Sequence, residues 1–439
     1  MPMPLCKKRS AQASPKPSSR STTNNTSLPK PWPPQEAIVL NSTQLRPNLP
    51  AMKRVILSLV LAATVSTSVL AQTATAPAAA ETSATAPVSQ YTKAIYVYHP
   101  DTGTILINDN GDMLAGPASL TKLMTLYLTF EALKEGRITL QTPVNVSEKA
   151  WRTQGSKMFI EVGKPVSVEM LIKGIAIVSG NDACVAIAEQ LGGTEEGFAE
   201  MMNKKAKDLG MTHTTFRNSN GMPDPQQRTT AHDVAMLLTA IFRDFPEYKK
   251  YLAEESFVWN NITQQNRNGL LHADVGIDAG KTGHTEESGY HLASTAVQNG
   301  ERLVVVVMGT SGFSEREGTS LQAYRTLFAS HATKEIFRAG DAIVTDVPVW
   351  HGNVSKVNLT VPESVKAYLN RSNPGEAKAT VTYDKPLVAP IAADKPVGQI
   401  TVTLGNGQQI TSALVVQQPV AEAGFAGRFF QTLGSKFGF

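Results

Sequence analysis

Cysteine is nearly missing from this chain. Cys6 and Cys184 are the two in 439 residues, and no CxxC pair occurs. Two cysteines cannot build the disulfide framework of a small secreted scaffold. The eight histidines are scattered, with no HExxH and no His/Cys cluster, so no metal centre is expected. Charge of either sign is sparse. Lys and Arg number 41 against 37 Asp and Glu, and the balance of +4 is too weak and too unlocalised to imply nucleic-acid binding. What is present is 41% apolar residues in a chain long enough for two or three domains. That fits a globular protein with a sizeable core and excludes a collagen-like or wholly disordered chain.

The composition changes along the chain. Residues 1–51 are rich in Ser, Thr, Pro and Asn without apolar periodicity, which predicts a disordered leader. Met52-Lys53-Arg54, an apolar run from Val55, and the small-residue exit Val69-Leu70-Ala71 then read as a signal peptide over 52–71, cleaved after Ala71. Such peptides begin chains, so Met52 is the expected true start. An uncleaved membrane anchor is the alternative, but the run is short for a span and carries several Thr and Ser. Residues 1–71 hold nine Lys and Arg against one Glu, leaving 32 basic and 36 acidic residues beyond them. The basic balance belongs to the leader.

Residues 72–90, rich in Ala, Thr and Pro, read as a linker. A main domain is expected over 91–338. Lys93–His99 and Ile105–Asn108 alternate as strands around Asp101-Thr102-Gly103. Helical spacing runs over Ser119–Lys134, Val168–Val178, Asp182–Gln190, Glu195–Leu209, Thr230–Phe242 and Glu317–Phe337, with strands at Tyr290–Val297 and Arg302–Met308. Strands at both ends with helices between predict an α+β fold, in which an antiparallel sheet pairs its first and last segments under a helical block. Residues 339–419 hold short strands and turns without a helix pattern, as in a small all-β domain. In 420–439, Phe425, Phe429, Leu433 and Phe437 recur every fourth residue. Four glycines make this a poor helix in water, whereas a bilayer surface would stabilise it through the aromatic face. A tail packed on the β domain is the alternative.

Three motifs carry chemistry. Ser119-Leu120-Thr121-Lys122 is an SxxK. On a helix, positions three apart share a face, so the lysine amine can reach the serine hydroxyl. A serine is a weak nucleophile until a base takes its proton, and a buried lysine with a lowered pKa can be that base. Alone the motif is weak: Ser27-Leu28-Pro29-Lys30 matches it by chance in the leader. Ser179-Gly180-Asn181 lies between two helical segments, where a hydroxyl and an amide can relay protons and hold a substrate amide. Lys281-Thr282-Gly283-His284-Thr285 enters a strand. A lysine and hydroxyls there suit a carboxylate ligand, and Gly283 would let a substrate backbone come close. Cys184 reads as a buried core thiol.

Taken together, SxxK, SGN and KTG in that order form the signature of penicillin-binding proteins and class A β-lactamases. From about Tyr91 to Pro419 the chain resembles the low-molecular-mass D-alanyl-D-alanine carboxypeptidases among the penicillin-binding proteins. SGN rather than SDN, and no ExxLN between Asn181 and Lys281, favour the carboxypeptidases over the β-lactamases. The resemblance implies a β-lactamase-like transpeptidase domain followed by an all-β domain and a C-terminal amphipathic helix. It implies Ser119 as nucleophile, Lys122 as its base, and Ser179 and Lys281 as carriers of the proton to the leaving D-alanine. Asn181 would position the substrate amide and Lys122. The backbone N–H groups of Ser119 and His284 would form the oxyanion hole. Lys281, Thr282, Gly283, Thr285 and Arg316 would bind substrate, with Thr282, Thr285 and Arg316 on its terminal carboxylate. Arg267 is a weaker candidate for supporting Lys281. The implied partners are a peptidoglycan stem peptide, β-lactam antibiotics as inhibitors, and a membrane surface met by the tail, with no cofactor, metal or nucleic acid. The implied location is the periplasmic face of the inner membrane, in cell-wall biogenesis and cell shape. A D,D-endopeptidase cutting crosslinks, or a non-catalytic penicillin-binding wall protein, are the alternatives.

Overall fold

A computed structural model describes residues 91–425 and the backbone of Glu36–Leu40. The expected signal peptide and linker, and residues 426–439 of the expected C-terminal amphipathic segment, lie outside the described residues. The first domain is organised by a five-stranded antiparallel sheet. Its strands are β1 (Ala94–His99), β2 (Thr104–Asp109), β3 (Ile277–Thr285), β4 (Gly289–Gln298) and β5 (Glu301–Thr310). They lie in the order β2-β1-β5-β4-β3. The first and last segments do pair: Tyr98 faces Val304 and Tyr96 faces Val306 across β1 and β5.

The run Leu303-Val304-Val305-Val306-Val307-Met308 explains why β5 is central. Strand side chains alternate between faces, so a continuous apolar run needs cover on both. Val304, Val306 and Met308 join the core under the helical block. Leu303, Val305 and Val307 pack with Tyr324, Leu327 and Phe328 of the last helix. The longer helices are α1 (Lys122–Lys134), α2 (Val168–Ala176), α3 (Asn181–Gly192), α4 (Glu195–Asp208), α5 (Ala231–Asp244) and α6 (Phe313–Ser330). Ser167, Thr194 and Thr230 cap α2, α4 and α5 by accepting backbone N–H groups.

One expected helix is too long. Glu317–Phe337 was a continuous helical pattern, but α6 ends at Ser330 and His331–Phe337 forms strand β6. The Ser330 hydroxyl turns back to donate to the Thr326 carbonyl at 2.6 Å. β6 then pairs with Val365–Asn370 (β9), a strand the pattern did not reveal, and a helix in its place would leave β9 without that ladder. β-strand structure therefore begins at His331, earlier than the expected 339.

The longer strands of the second domain's main sheet are β7 (Val344–Trp350), β8 (Lys356–Thr360), β10 (Ala377–Tyr383), β11 (Gly398–Thr403) and β12 (Gln409–Val416). They form a separate sheet over their own core of Val381, Ile400, Val402 and Leu414. Inside the leader expected to be disordered, Glu36–Leu40 pairs antiparallel with the edge of β10. An edge strand presents unpaired N–H and C=O groups that an extended apolar segment can meet.

The two domains meet through specific contacts. The Tyr368 ring stacks on buried His99 at 4.3 Å, and its N–H donates to Thr104 Oγ1 at 3.0 Å. Gln408 acts as a strand mimic, donating to the Gly103 carbonyl at 2.5 Å and accepting from the Ile105 N–H at 2.8 Å.

Candidate active site

Ser119 lies in a 3-10 turn, Ala118–Thr121, that leads directly into α1, so the SxxK spans the junction of two helix types. The spacing still works: Lys122 Nζ is 2.9 Å from Ser119 Oγ. Lys122 is fully buried and also donates to Asn181 Oδ1 at 2.8 Å and to the Asn220 carbonyl. Two of these three partners can only accept. When Lys122 is neutral, Ser119 is the one partner able to donate to its lone pair. The amine lone pair is thus aimed at Ser119 by its other two bonds. Burial, with the Arg267 charge acting in the same direction, lowers Lys122 to about 8.

Asn181, the first residue of α3, is itself fixed. Its Nδ2 donates to the Gln154 carbonyl at 2.7 Å, which turns Oδ1 toward Lys122. The loop supplying Gln154 is held by Asp182, whose carboxylate accepts from the N–H groups of Met158, Phe159 and Ile160 at 2.9–3.2 Å. Ser179 sits at φ +62°, a conformation rare for a residue with a side chain. Gly180 is tightly enclosed: a Cβ there would lie 3.0 Å from Asp182 Oδ1 and 3.3 Å from the Gly174 carbonyl.

On β3, Lys281 Nζ reaches Ser179 Oγ at 3.1 Å, joining the second and third motifs. Burial, then the charges of Lys122 and Arg267, hold Lys281 well below the usual lysine range. Arg316, in the first turn of α6, is 7% exposed and donates to the Arg267 carbonyl at 3.2 Å. Its buried Nε has no partner. Arg267 donates to Ser156 Oγ at 2.8 Å and so ties the Asn181 loop to this corner. Lys281 feels the charges of Lys122, Arg267 and Arg316, and Arg267 also acts on Lys122 and Arg316, so the corner is largely dry and mostly positive, with Glu317 the carboxylate 3.4 Å from Arg316.

Two residues have neighbours that the sequence did not suggest. A Cβ on Gly283 would lie 3.3 Å from Ser119 N and from Leu120 N, so glycine admits the nucleophile's own backbone rather than a substrate's. Thr285 Oγ1 is paired with Ser288 Oγ at 2.6 Å, in the turn after β3. It lines a cavity wall together with Ala118. Thr282 is buried, and His284 is exposed with its ring 3.9 Å from that of Tyr290. Cys184 is buried beside both lysines, and burial pushes its thiol up to about 12.

Nothing in the residue pattern pointed to the carbonyls of Asn220 and Gln154, because backbone acceptors leave no trace in residue type. It also passed over His291, fully buried on β4. Nε2 of this imidazole lies 3.1 Å from the Gly116 carbonyl, and its Nδ1 accepts from the Gly309 N–H at 3.0 Å. That pair of bonds fixes a neutral ring with the proton on Nε2. The buried histidine pinned to Gly116 could have been found only from its position opposite Gly283 in the β3–β4 ladder. Among the described residues, no group of three or more His, Cys, Asp or Glu side chains could hold a metal ion.

Comparison with known proteins gives a consistent set. The D-alanyl-D-alanine carboxypeptidase family matches residues 80–312, and the C-terminal domain of penicillin-binding protein 5 matches residues 332–422. The D-alanyl-D-alanine carboxypeptidase DacA of Haemophilus influenzae is 38% identical over 340 residues, covering 76% of this chain and 86% of its own. DacC of Escherichia coli, of the same description, is 38% identical over 348 residues with the same two coverages, 76% and 86%. The solved structure of penicillin-binding protein 5 from Haemophilus influenzae superposes with a TM-score of 0.68 at 35% identity, over 77% of this chain and 100% of that one.

Proposed function

This chain belongs to the D-alanyl-D-alanine carboxypeptidase family of serine peptidases, a penicillin-binding fold followed by an all-β domain, and from that premise we propose how its residues carry the reaction. Ser119 Oγ gives its proton to neutral Lys122 and attacks the carbonyl between the two terminal D-alanines of a peptidoglycan stem. The charge that develops on the carbonyl oxygen is met by the N–H groups of Ser119 and His284, a kind of contact worth roughly 3–4 kcal/mol per donor. Lys281 and Ser179 form a hydrogen-bonded pair through which the proton reaches the leaving amine. Asn181 holds Lys122 and the substrate amide. Arg316 binds the terminal carboxylate with Thr282 and Lys281, and its unpartnered Nε supports that role. Water then releases the acyl-enzyme. A β-lactam acylates Ser119 by the same first step.

The observation that carries this reading is the set of three bonds on Lys122, which leaves its lone pair facing Ser119. The test is Ser119→Ala. D-alanine release from a pentapeptide and labelling by a fluorescent penicillin should both be lost, and release that survived in the variant would overturn the mechanism.

The proposed setting is the periplasmic face of the inner membrane, reached by the signal peptide over 52–71 and held by the aromatic face of 420–439. Among the described residues no helix is long and apolar enough to cross a membrane. Removing residues 421–439 should move the protein from membrane to soluble fractions and leave release of D-alanine from a soluble peptide intact. An unchanged membrane fraction removes the anchoring role.

A further inference from the structure

The main sheet of the second domain has two edges, and they are built differently. One edge is the two-residue strand Leu387–Val388, which lies between Pro386 and Pro390. Proline has no N–H to offer, and short strands with prolines close a sheet edge to further pairing. The other edge is β10. It runs for seven residues without proline or glycine and carries one charge, Lys378. Its pairing with β11 is continuous from Lys378 to Tyr383, with no bulge to bend it away. Such an edge is a template for another strand.

The chain itself shows what this template accepts. Glu36–Leu40 lies along it antiparallel, with Leu40 opposite Ala377, Ile38 opposite Ala379 and Glu36 opposite Val381. That segment precedes the signal peptide proposed over 52–71, so cleavage after Ala71 separates it from the enzyme. The secreted enzyme then keeps β10 with its outer N–H and C=O groups unmet over Ala377–Val381, about 17 Å of strand. The next residue, Thr382, is 8% exposed, and its Oγ1 has no partner among the described residues.

The two faces of β10 say what kind of strand fits. Ala377, Ala379 and Val381 join the core with Ile400 and Val402, whereas Lys378 is exposed and Thr380 half-buried. Directly opposed residues share a face of the sheet. Each alanine brings a single methyl group to the margin of the core, so a strand added beside it supplies the apolar bulk. We propose that the β10 edge of the secreted enzyme is a docking site for a second protein, which adds an extended segment as one more antiparallel strand. That segment carries aliphatic residues at alternate positions, opposite Ala377 and Ala379. In this mode of recognition main-chain bonds supply the affinity and alternate side chains the specificity. The proposal rests on the signal-peptide reading and is independent of the chemistry at Ser119.

The test uses the enzyme as secreted, whose N-terminus should read Gln72. The probe is a fluorescent peptide with the sequence of residues 34–42. Its anisotropy should rise to saturation with added enzyme, and amide exchange should slow at Ala377–Val381. N-methylating alternate residues of the peptide removes the N–H groups on one side of the strand. One alternate set should weaken binding at least about tenfold, and the other, whose N–H groups point away from β10, less than about twofold. No binding at about 1 mM peptide, equal losses from both methylated sets, or exchange at β10 unchanged by the peptide overturns the proposal. A dimer in sedimentation that the peptide dissociates makes a second copy of this chain the occupant and overturns the second-protein assignment. An N-terminus that still includes Glu36–Leu40 would sink the signal-peptide reading and, with the edge filled by the chain itself, the proposal too.

Discussion

The strands β5 and β11 show how differently the two domains are made. β5 is buried on both faces from Leu303 to Thr310, because helices cover its sheet on either side. β11 alternates, with Ile400 and Val402 inward and Gln399, Thr401 and Thr403 half-exposed. The polar content differs in the same sense. The catalytic domain buries Lys122, Asp182, Lys281, His291 and Arg316, whereas Thr360 and Thr382 are the buried polar side chains among the described residues from 339 onward. Burying a charge is costly unless it is paired, and burial is what lowers the lysine pKa values that the chemistry needs. One domain thus carries strained, dehydrated charge for function. The other is a β domain with an apolar core whose pattern serves stability.

Four experiments would sharpen or break that contrast. The largest effect is expected from Lys122→Met, which fills the same buried space without a base. Acylation by penicillin should fall by about 10⁴-fold or more, the scale seen when one member of a catalytic unit is removed. Near-normal acylation in stopped-flow measurement would show that the buried charge is not the base. Next is Leu414→Ala in the β domain. It should cost about 2–5 kcal/mol in denaturant unfolding, with kcat/KM on a soluble peptide unchanged in the folded enzyme. A parallel loss of activity would join the two regions functionally.

The third is pH. Lys122 must be neutral to accept a proton, and its pKa is lowered to about 8. Below that value the neutral fraction shrinks about tenfold per pH unit, so acylation should rise with that slope up to about pH 8 and then level. A flat profile between pH 6 and 8 would reject this assignment of the base. The smallest effect belongs to Gln408→Ala, which removes two bonds to β2 and its turn. A loss of about 1 kcal/mol in stability with unchanged kcat is expected. A large drop in kcat would mean that the β domain shapes the site.

Much of this was legible before the structure. The three motifs carry side-chain chemistry at fixed spacings, and the local spacing of SxxK alone predicts the Lys122–Ser119 approach. The strands at the ends of the first domain were legible because period-two alternation and turn residues are local signals. What escaped has a common cause. The helix running past Ser330 was misread because the apolar pattern does not stop there, and the strand that claims His331–Phe337 comes from thirty residues downstream. Gly283 was assigned to the substrate because nothing in a KTG triplet says that Ser119 will pack against it. Asn220 and Gln154 act through carbonyls, which every residue has.

By itself, then, the sequence determined the reacting groups: a serine with a lysine three residues on, an SGN turn, a KTG strand, and two domains of contrasting pattern. Residue type fixes what a side chain can donate, accept or attack, and short-range spacing fixes which neighbours share a face. Only the tertiary structure decided that Lys122 is dry, that Asn181 and Asn220 take up its other bonds, and that Ser179 and Lys281 meet across 102 residues of chain. Those are properties of packing. A pKa is set by how much water is excluded and which charges are near, and both are fixed when distant segments close on one another.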